Sequence, residues 1–350
     1  ADISTGEFRV MACPLVRLGP ELARIAPREV VASEAKRDDL AGTVSESGAA
    51  LTPLARAAFD SEGALKRLSA LFGVATLDGF GRFSRAEISA MGGIVEYLDL
   101  TQRGKLPLLR PPVQEAAGGT VQIDAATRRN LEITQALSGG RDGSLIAAID
   151  RTVTAAGARL LDRRLSSPSR DLEEILSRHD AVRGLVADGS LADALRERLR
   201  RVPDLDRALS RLALDRGGPR DLAAIRNGLS EAGRIAALLE DRAAPDRLAR
   251  AAESLKGHDA LIAALGDALV DEPPLLTRDG GFIAPGYDAD LDEARELRDE
   301  GRGVIARMQG EYITQTGIQS LKIKHNNVLG YFIETTDTHA PRMLSAPLNE

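Results

Sequence analysis

Five polar side chains near the end of the chain have the types and spacing needed to hold a phosphate backbone. They are Lys322, Lys324, His325, Asn326 and Asn327. The two lysines occupy alternate positions, which in a β-strand places both ammonium groups on one face and the apolar residues beside them on the other. Residues 325–330 are turn formers and a second short apolar run follows them, so the sequence predicts a β-hairpin.

The chemistry of such a hairpin would be contact with a DNA backbone. At the turn, asparagine and histidine side chains and free backbone N–H groups can reach phosphate oxygens, and contacts of this kind fix position without reading sequence. The alternative is that lysines on an exposed strand only discourage edge-to-edge pairing of strands. The residues alone leave both interpretations open.

A second polar cluster lies a third of the way along the chain, after a short strand-like segment at 120–123. It consists of Asp124, Arg128, Arg129 and Asn130. Asp124 is a good N-cap for the helix-forming run that follows it. The cluster is expected to be either a polar network at a junction between two domains or a contact with DNA phosphate. The structural network is preferred, because arginine is the usual choice for buried bidentate pairing.

The sequence predicts no other chemical site. His179, His258 and His339 are isolated from other ligand types and Cys13 is the single cysteine, so no metal site and no intrachain disulfide is predicted. No Ser-His-Asp or Cys-His arrangement follows from the spacing. No Gly-x-x-x-x-Gly-Lys-Ser/Thr loop occurs in the 350 residues. We therefore expect no catalytic residue, no metal and no bound cofactor in this chain.

Composition sets the class of protein. The 350 residues are 43% hydrophobic and 28% charged, as in a soluble globular protein, and they suffice for two or three domains. No apolar run approaches the roughly 20 residues that span a bilayer, so no membrane partner is expected. The formal net charge of −6 does not favour nucleic-acid binding by bulk electrostatics, although local patches decide binding. The single cysteine fits a reducing compartment, and a cytoplasmic location is expected.

The first segment of the chain is residues 1–116. It mixes strands and helices, and this alternation predicts a small α/β domain. The strands are expected at Asp2–Val10 and Glu29–Ser33, and the helices at Leu15–Ile25, Ser61–Phe72 and Arg85–Leu98. A run with three prolines, Leu106–Pro112, then breaks helix and predicts a linker.

Two further segments follow the linker. Residues 117–309 are helix after helix, separated by glycines and prolines, and predict a helical domain. One of these helices carries an apolar stripe, Leu222-Ile225-Leu229, which is expected to be only partly covered. Another begins near Tyr287 and continues for about six turns. Residues 310–350 contain the predicted hairpin. Both ends of the chain look cut, so an internal fragment of a longer protein is expected.

Several motifs are more specific than these periodicities. The run Asp124-Ala-Ala-Thr-Arg-Arg-Asn-Leu-Glu-Ile133 resembles the start of the core (lever) domain of MutS DNA mismatch repair proteins, and Pro203–Arg207 and Arg278–Tyr287 resemble later parts of that domain. Asp2–Phe8 is similar to the first strand of the family's connector domain, and Leu321–Ile333 to the start of its clamp domain. The resemblance keeps the family's order and covers essentially the whole chain.

This resemblance implies a multidomain fold. It implies an RNase H-like α/β connector domain at 1–116, a mostly α-helical lever domain at 117–309 and the start of a β-rich clamp domain at 310–350. It also implies that the longer protein is a DNA-dependent ATPase that uses ATP and Mg²⁺. Such a protein would be a homodimer that binds mismatched double-stranded DNA and a MutL-type partner. This segment would link the DNA clamp to an ATPase domain elsewhere in the protein.

Two alternatives stay open at this point. The first is a MutS-like paralogue that binds DNA junctions or nicked duplexes without mismatch repair; a mismatch-reading domain before this segment would distinguish the two. The second is a helical scaffold with no role at DNA, for which the longer protein would show no salt-sensitive duplex binding.

Overall fold

A computed structural model describes residues 1–102, 106–116, 118–242 and 244–346, with the backbone alone at residue 299. The chain divides into two compact units, Ala1–Phe282 and Ile283–Glu350. Helices predominate in both units. None of the helices in the described residues is long and apolar enough to cross a membrane.

The first unit contains most of the elements. Its strands are β1 (Arg9–Val10), β2 (Glu29–Ser33), β3 (Ala50–Leu54) and β4 (Val113–Gln114). Its helices are α1 (Leu18–Ile25), α2 (Arg37–Glu46), α3 (Ser61–Phe72), α4 (Arg85–Thr101), α5 (Ala125–Asn130), α6 (Leu145–Ile149), α7 (Ala155–Ser166), α8 (Leu172–Ala187), α9 (Gly189–Leu199), α10 (Leu205–Ala213), α11 (Pro219–Glu240), α12 (Asp246–Ser254) and α13 (Asp259–Ala268). The second unit contains α14 (Ala289–Thr316), β5 (Lys322–Asn326), β6 (Gly330–Glu334) and α15 (Ala340–Met343).

The first segment of the chain combines parallel strand pairs with packed helices, so the predicted α/β character is confirmed. β1 pairs with β4, and β2 pairs with β3 with Val31 opposite Thr52, both in parallel. The chain passes from β2 to β3 through α2, because parallel neighbours need a crossover connection. One apolar core joins the segment around β1 to the packed pair α3 and α4; among its buried members are Phe8, Leu68, Met91, Val95 and Leu98.

The strand predicted from Asp2 is wrong over its first part. Only its last two residues pair as a strand, and those before them form a turn closed by a bridge between Asp2 and Glu7. Oδ1 of Asp2 accepts hydrogen bonds from the N–H of Ser4 at 2.8 Å and from its hydroxyl at 2.7 Å, and Gly6 has a positive φ of 71°. Local side-chain bonds of this kind compete with strand pairing.

The helical segment is organised around α11. This helix packs against α9, α10, α12 and α13, and its stripe Leu222-Ile225-Leu229 has one buried and two half-buried members, so it is partly covered as expected. The helix predicted after Asp124 is short, because α5 ends at Asn130 and turns follow it. The strand-like segment before it makes only an isolated bridge between Thr120 and Ser169.

The three domain bounds (1–116, 117–309 and 310–350) stay a prediction. Residue 117, at the first boundary, and residues 347–350, at the end of the third segment, lie outside the described residues.

Candidate nucleic-acid interface

The second unit presents its lysines on a hairpin that follows the long helix α14. The helix ends at Gly317, whose φ of 66° is in the left-handed region that favours glycine. Beyond it, Ile318 and Leu321 are buried. The side chain of Gln309 on α14 accepts a hydrogen bond from the backbone N–H of Ile323 at 2.9 Å. Buried apolar residues and this hydrogen bond therefore hold the start of β5 against α14.

The predicted hairpin is confirmed, with a shorter turn than expected. β5 and β6 are antiparallel, and His325 lies opposite Tyr331 within the ladder. Asn326 closes the turn: its Oδ1 accepts hydrogen bonds from the backbone N–H groups two and three residues later, at 2.9 and 2.7 Å. An asparagine that satisfies turn amides in this way leaves only three residues outside the ladder. The prediction that His325 and Asn326 are turn residues is therefore wrong.

The two lysines occupy alternate positions of β5 but differ in their partners. Nζ of Lys324 donates to Oε1 of Glu334 at 2.7 Å, and both side chains are about half exposed. Lys322 is exposed and has no ion pair within the described part of the chain. An exposed pair contributes about 0–1 kcal/mol, so Lys324 can exchange Glu334 for another anion with little loss of stability. From the face that they share, Lys322 and Lys324 can therefore donate hydrogen bonds to phosphate oxygens.

The remaining predicted hairpin residues divide between the two faces of the strand pair. Asn326 shares the face of the lysines, whereas His325 lies on the opposite face, where its ring meets that of Tyr331 edge to face at 4.8 Å between centroids. Asn327 is exposed in the turn. Sequence reasoning missed the partners Tyr331 and Glu334; pairing the two apolar runs residue by residue could have found them.

The second predicted cluster is not brought together as one network. Asp124 caps α5, because its two carboxylate oxygens accept the N–H and the hydroxyl of Thr127 at 2.9 and 2.7 Å; these bonds lower the pKa of Asp124. Arg128 is buried. Arg129 and Asn130 are exposed and make no side-chain hydrogen bond to another described residue.

Arg128 is a buried cation where α5 lies against α1. Its side chain is 9% exposed and Nη2 donates to the carbonyl of Ser166 at 2.8 Å, while Nε and Nη1 meet no acceptor among the described residues. Burial lowers the pKa of Arg128, and repulsion from Arg24 adds to that effect while Asp162 opposes it. The nearness of Arg24 shows that more charged groups meet at this junction than the sequence suggested.

An ion-pair chain crosses the junction between the α/β segment and the helical segment. Its members are Glu21, Arg24, Glu115, Arg9, Glu7 and Arg163, and the amide of Gln122 donates a hydrogen bond to Glu21 at one end. At its centre, Nε of Arg24 donates to Glu21 at 2.6 Å, Nη2 to Glu115 at 2.9 Å and Nη1 to the hydroxyl of Ser167 at 3.0 Å. The side chains of Arg24 and Glu21 are only 12% and 5% exposed. Arg24 thus ties α1 directly to the end of α7.

Two further members of the ion-pair chain strengthen that connection. Glu115 also accepts a hydrogen bond from Arg9 at 2.7 Å; burial acts to raise the pKa of Glu115, but the bonds and charges of Arg9 and Arg24 outweigh it and hold that pKa below its ordinary value. Arg163 on α7 donates to Glu7 at 2.5 Å. No local sequence signal could have found these pairs, since Glu7 and Arg163 are 156 residues apart.

A planar arginine fork joins two helices of the helical segment, α7 and α10. Nη1 and Nη2 of Arg159 each donate to one carboxylate oxygen of Asp204 at 2.9 Å, and Nη2 also reaches Asp206 at 2.8 Å. Arg110, in the predicted linker, pairs with Asp206 as well. The hydrogen bonds from Arg159 lower the pKa of Asp204 against the opposing effect of partial burial. This bidentate geometry is specific to guanidinium groups.

These features define a mostly helical multidomain protein, in which an α/β segment is joined by ion pairs to a helical segment and a separate unit carries a helix and a basic hairpin. The family model for MutS domain II matches residues 1–110, and that for MutS domain III matches residues 126–346. The second match alone covers more than half of the sequence. The chain therefore belongs to the MutS family, and the resemblance seen in its motifs is confirmed.

Individual relatives align along the whole chain. Proteins named DNA mismatch repair protein MutS from Paracoccus denitrificans, a strain of Cereibacter sphaeroides and Dinoroseobacter shibae are 69%, 68% and 64% identical to it. Each alignment includes 100% of this chain and 39–40% of the relative. The chain thus spans about two-fifths of the length of the curated relatives it matches.

Proposed function

We propose that this chain is the connector, lever and first clamp segment of a mismatch repair protein, and that it links contact with DNA to a distant ATPase. Its relatives carry the mismatch repair name, and the two matched domains stand in the order that a connector followed by a lever requires. The name of these relatives favours a mismatch repair protein over a paralogue that binds only DNA junctions or nicked duplexes.

The observation that carries the linking role is the set of ion pairs between residues 1–116 and the helical segment. Arg163 pairs with Glu7 and Arg110 with Asp206 across this junction. Arg24 adds a hydrogen bond to Ser167. Stiff helices joined through such discrete, directional contacts can repack between alternative states, and this is the physical requirement for carrying a conformational signal.

Contact with the DNA backbone belongs to the same proposal and is assigned to the hairpin. Lys322 supplies an ammonium group with no ion pair among the described residues, and Lys324 can exchange Glu334 for phosphate. Asn326 adds amide donors on the same face, and His325 and Asn327 lie next to it in the chain. Phosphate contacts made by such groups position the duplex without reading its bases.

The longer protein is proposed to act as the family resemblance implies. It would be a cytoplasmic homodimer and a DNA-dependent ATPase that binds mismatched duplex DNA and a MutL-type protein, with ATP and Mg²⁺ held outside this chain. The 350 residues contain no phosphate-binding loop, so we propose that the chain itself does not turn over ATP. An RNase H-like connector and a β-rich clamp complete the proposal.

The test is charge reversal on the hairpin of the longer protein, Lys322→Glu with Lys324→Glu. Duplex affinity is expected to fall, and the slope of log K against log salt to decrease by about 0.9 for each phosphate that the variant no longer neutralises. The preference for mismatched over matched duplex should persist, because phosphate contacts carry no sequence information. Lys66→Glu, at an exposed lysine of α3, is the matched control.

Unchanged affinity together with an unchanged salt slope in the double variant would refute the hairpin contact. Absence of any salt-sensitive duplex binding by the longer protein with its natural sequence would instead favour the scaffold and refute the whole proposal.

A further inference from the structure

An unbalanced arginine cluster lies in the helical segment, outside both the hairpin and the ion-pair chain. Its members are Arg164 on α7, Glu174 and Arg178 on α8, and Arg247 on α12. Arg178 and Arg247 both bond the carboxylate of Glu174, and Arg164 makes no ion pair with a described residue, so the cluster has a formal excess of two positive charges. Groups of like charge repel one another when brought together, so such a cluster needs a compensating anion.

Glu174 cannot supply that compensation, because both of its oxygens are already engaged. Arg178 approaches Oε1 with Nε at 2.8 Å and Nη2 at 2.7 Å. Arg247 donates to Oε2 at 2.8 Å and to Oε1 at 3.1 Å. About a third of each of these three side chains is exposed, so the outer side of the cluster is open to a ligand from solvent.

Arg164 is the member left without an anion of its own. Its Nε is buried and has no acceptor, and its guanidinium makes no ion pair to another described residue. Burial lowers the pKa of Arg164 and repulsion from Arg178 and Arg247 lowers it further, an effect that the charge of Glu174 opposes without reversing. The three cations are therefore within electrostatic reach of one another. A cation that has lost part of its hydration and makes no ion pair lacks the pairing that buried charges ordinarily have.

We propose that Arg164, Arg178 and Arg247 form a binding site for a phosphate group. Guanidinium forks match the oxygens of phosphate with paired, charge-assisted hydrogen bonds. A phosphate dianion would balance the excess of two charges, whereas a single carboxylate would leave one positive charge over. Because the three arginines come from α7, α8 and α12, a bound phosphate would hold these helices together.

Thermal unfolding of the 350-residue chain with inorganic phosphate, at ionic strength held constant with chloride, tests the site. Phosphate is expected to raise the midpoint saturably, since a ligand that binds only the folded state stabilises it. Arg164→Gln should weaken the apparent phosphate affinity about tenfold. This variant should fold, because it breaks no hydrogen bond of Arg164. Arg183→Gln, at an exposed arginine of α8, is the matched control and should keep the natural affinity.

Two phosphate sources are separated by repeating the measurement with pyrophosphate and with a short DNA duplex. Loss of the pyrophosphate effect alone in Arg164→Gln identifies a free phosphate compound, and a parallel loss of duplex binding identifies the nucleic-acid backbone. Equal stabilisation by phosphate and chloride would refute the site, as would a phosphate effect that Arg164→Gln leaves unaltered.

If Arg164→Gln does not fold, Arg164→Lys retains the charge without the fork and should bind phosphate more weakly than the natural chain. Lys322→Glu should leave the phosphate effect intact, which separates this site from the hairpin.

Discussion

The ion-pair chain at the junction and the basic hairpin use the same kinds of charged side chain in opposite ways. At the junction, Arg24 is 12% exposed and each of its guanidinium nitrogens has a different partner. On the hairpin, Lys324 is half exposed and has a single partner, and Lys322 has none within the described residues. Burial and the number of partners separate the two regions, together with the use of arginine at the junction and lysine on the hairpin.

This difference assigns each region to a different task. Removing one member of a buried ion pair strongly lowers the stability of the protein, because the other charge remains without hydration and without a partner. An exposed pair is close to neutral and exchanges readily with solvent ions or ligands. The junction is therefore suited to holding two segments in a defined relation, and the hairpin to binding and releasing a polyanion.

The largest expected effect is at the centre of the junction. Arg24→Met keeps the length of the side chain but leaves Glu21 and Glu115 without their shared cation. The free energy of unfolding should fall by about 3 kcal/mol, measured by urea denaturation at neutral pH. The matched change on the hairpin, Lys324→Met, should cost at most about 1 kcal/mol. Similar losses in the two variants would contradict the contrast between the regions.

The next prediction concerns how the free energy of unfolding changes at acid pH. The pKa of Glu115 is depressed in the folded chain, and the unfolded glutamate has a pKa of about 4.3. Its stabilisation is therefore complete above about pH 4.3 and is lost as the pH falls through the lower folded-state pKa. Glu115→Gln should reduce the free energy of unfolding by about 2 kcal/mol near pH 7.

That loss should shrink when the same unfolding curves are measured near pH 3, because the unfolded glutamate binds a proton below about pH 4.3 and the stabilisation by the folded ion pairs then declines. Glu334→Gln on the exposed hairpin pair is the control for removing one carboxylate, and near pH 7 it should cost at most about 1 kcal/mol. A deficit in Glu115→Gln that is constant between the two pH values would contradict the assigned ion pairs.

A smaller effect tests geometry rather than charge within the helical segment, between α7 and α10. Arg159→Lys retains the positive charge but cannot form the fork on Asp204, so the free energy of unfolding should fall by about 1 kcal/mol. Arg207→Lys is the control, since Arg207 contacts the same carboxylate through one nitrogen at 3.4 Å and is largely exposed. Equal effects at the two positions would show that charge alone matters there.

Elements governed by local chemistry were predictable from the sequence. The helix Ser61–Phe72 and the strand Glu29–Ser33 were predicted to the residue, since caps, turn residues and apolar periodicity lie within each segment. The hairpin was predicted for the same reason. Its turn was misplaced because the side chain of Asn326 satisfies the turn amides from within the strand.

Features set by distant pairs were not predictable. Arg128 was singled out, but its neighbours Arg24 and Asp162 could be found only from the fold. For Arg24 only Glu21 lies nearby in sequence, three residues before it, whereas Glu115 and Ser167 lie 91 and 143 residues away. Periodicity and capping describe neighbours along the chain, whereas the junction depends on which surfaces the helices bring together.

The smallest expected change in the free energy of unfolding is on the hairpin. Glu334→Gln removes the exposed partner of Lys324 and should change the free energy of unfolding by less than about 1 kcal/mol. Duplex affinity of the longer protein should nevertheless rise about two- to fivefold, because Lys324 no longer has to exchange an anion before it meets phosphate. Fluorescence anisotropy at two salt concentrations measures this change, with Glu311→Gln on α14 as the matched control for the loss of one negative charge. An affinity that rises equally in both variants would indicate a general charge effect. A rise confined to Glu334→Gln would show that this pair limits the contact, so that the stability effects belong to the junction and the binding effects to the hairpin.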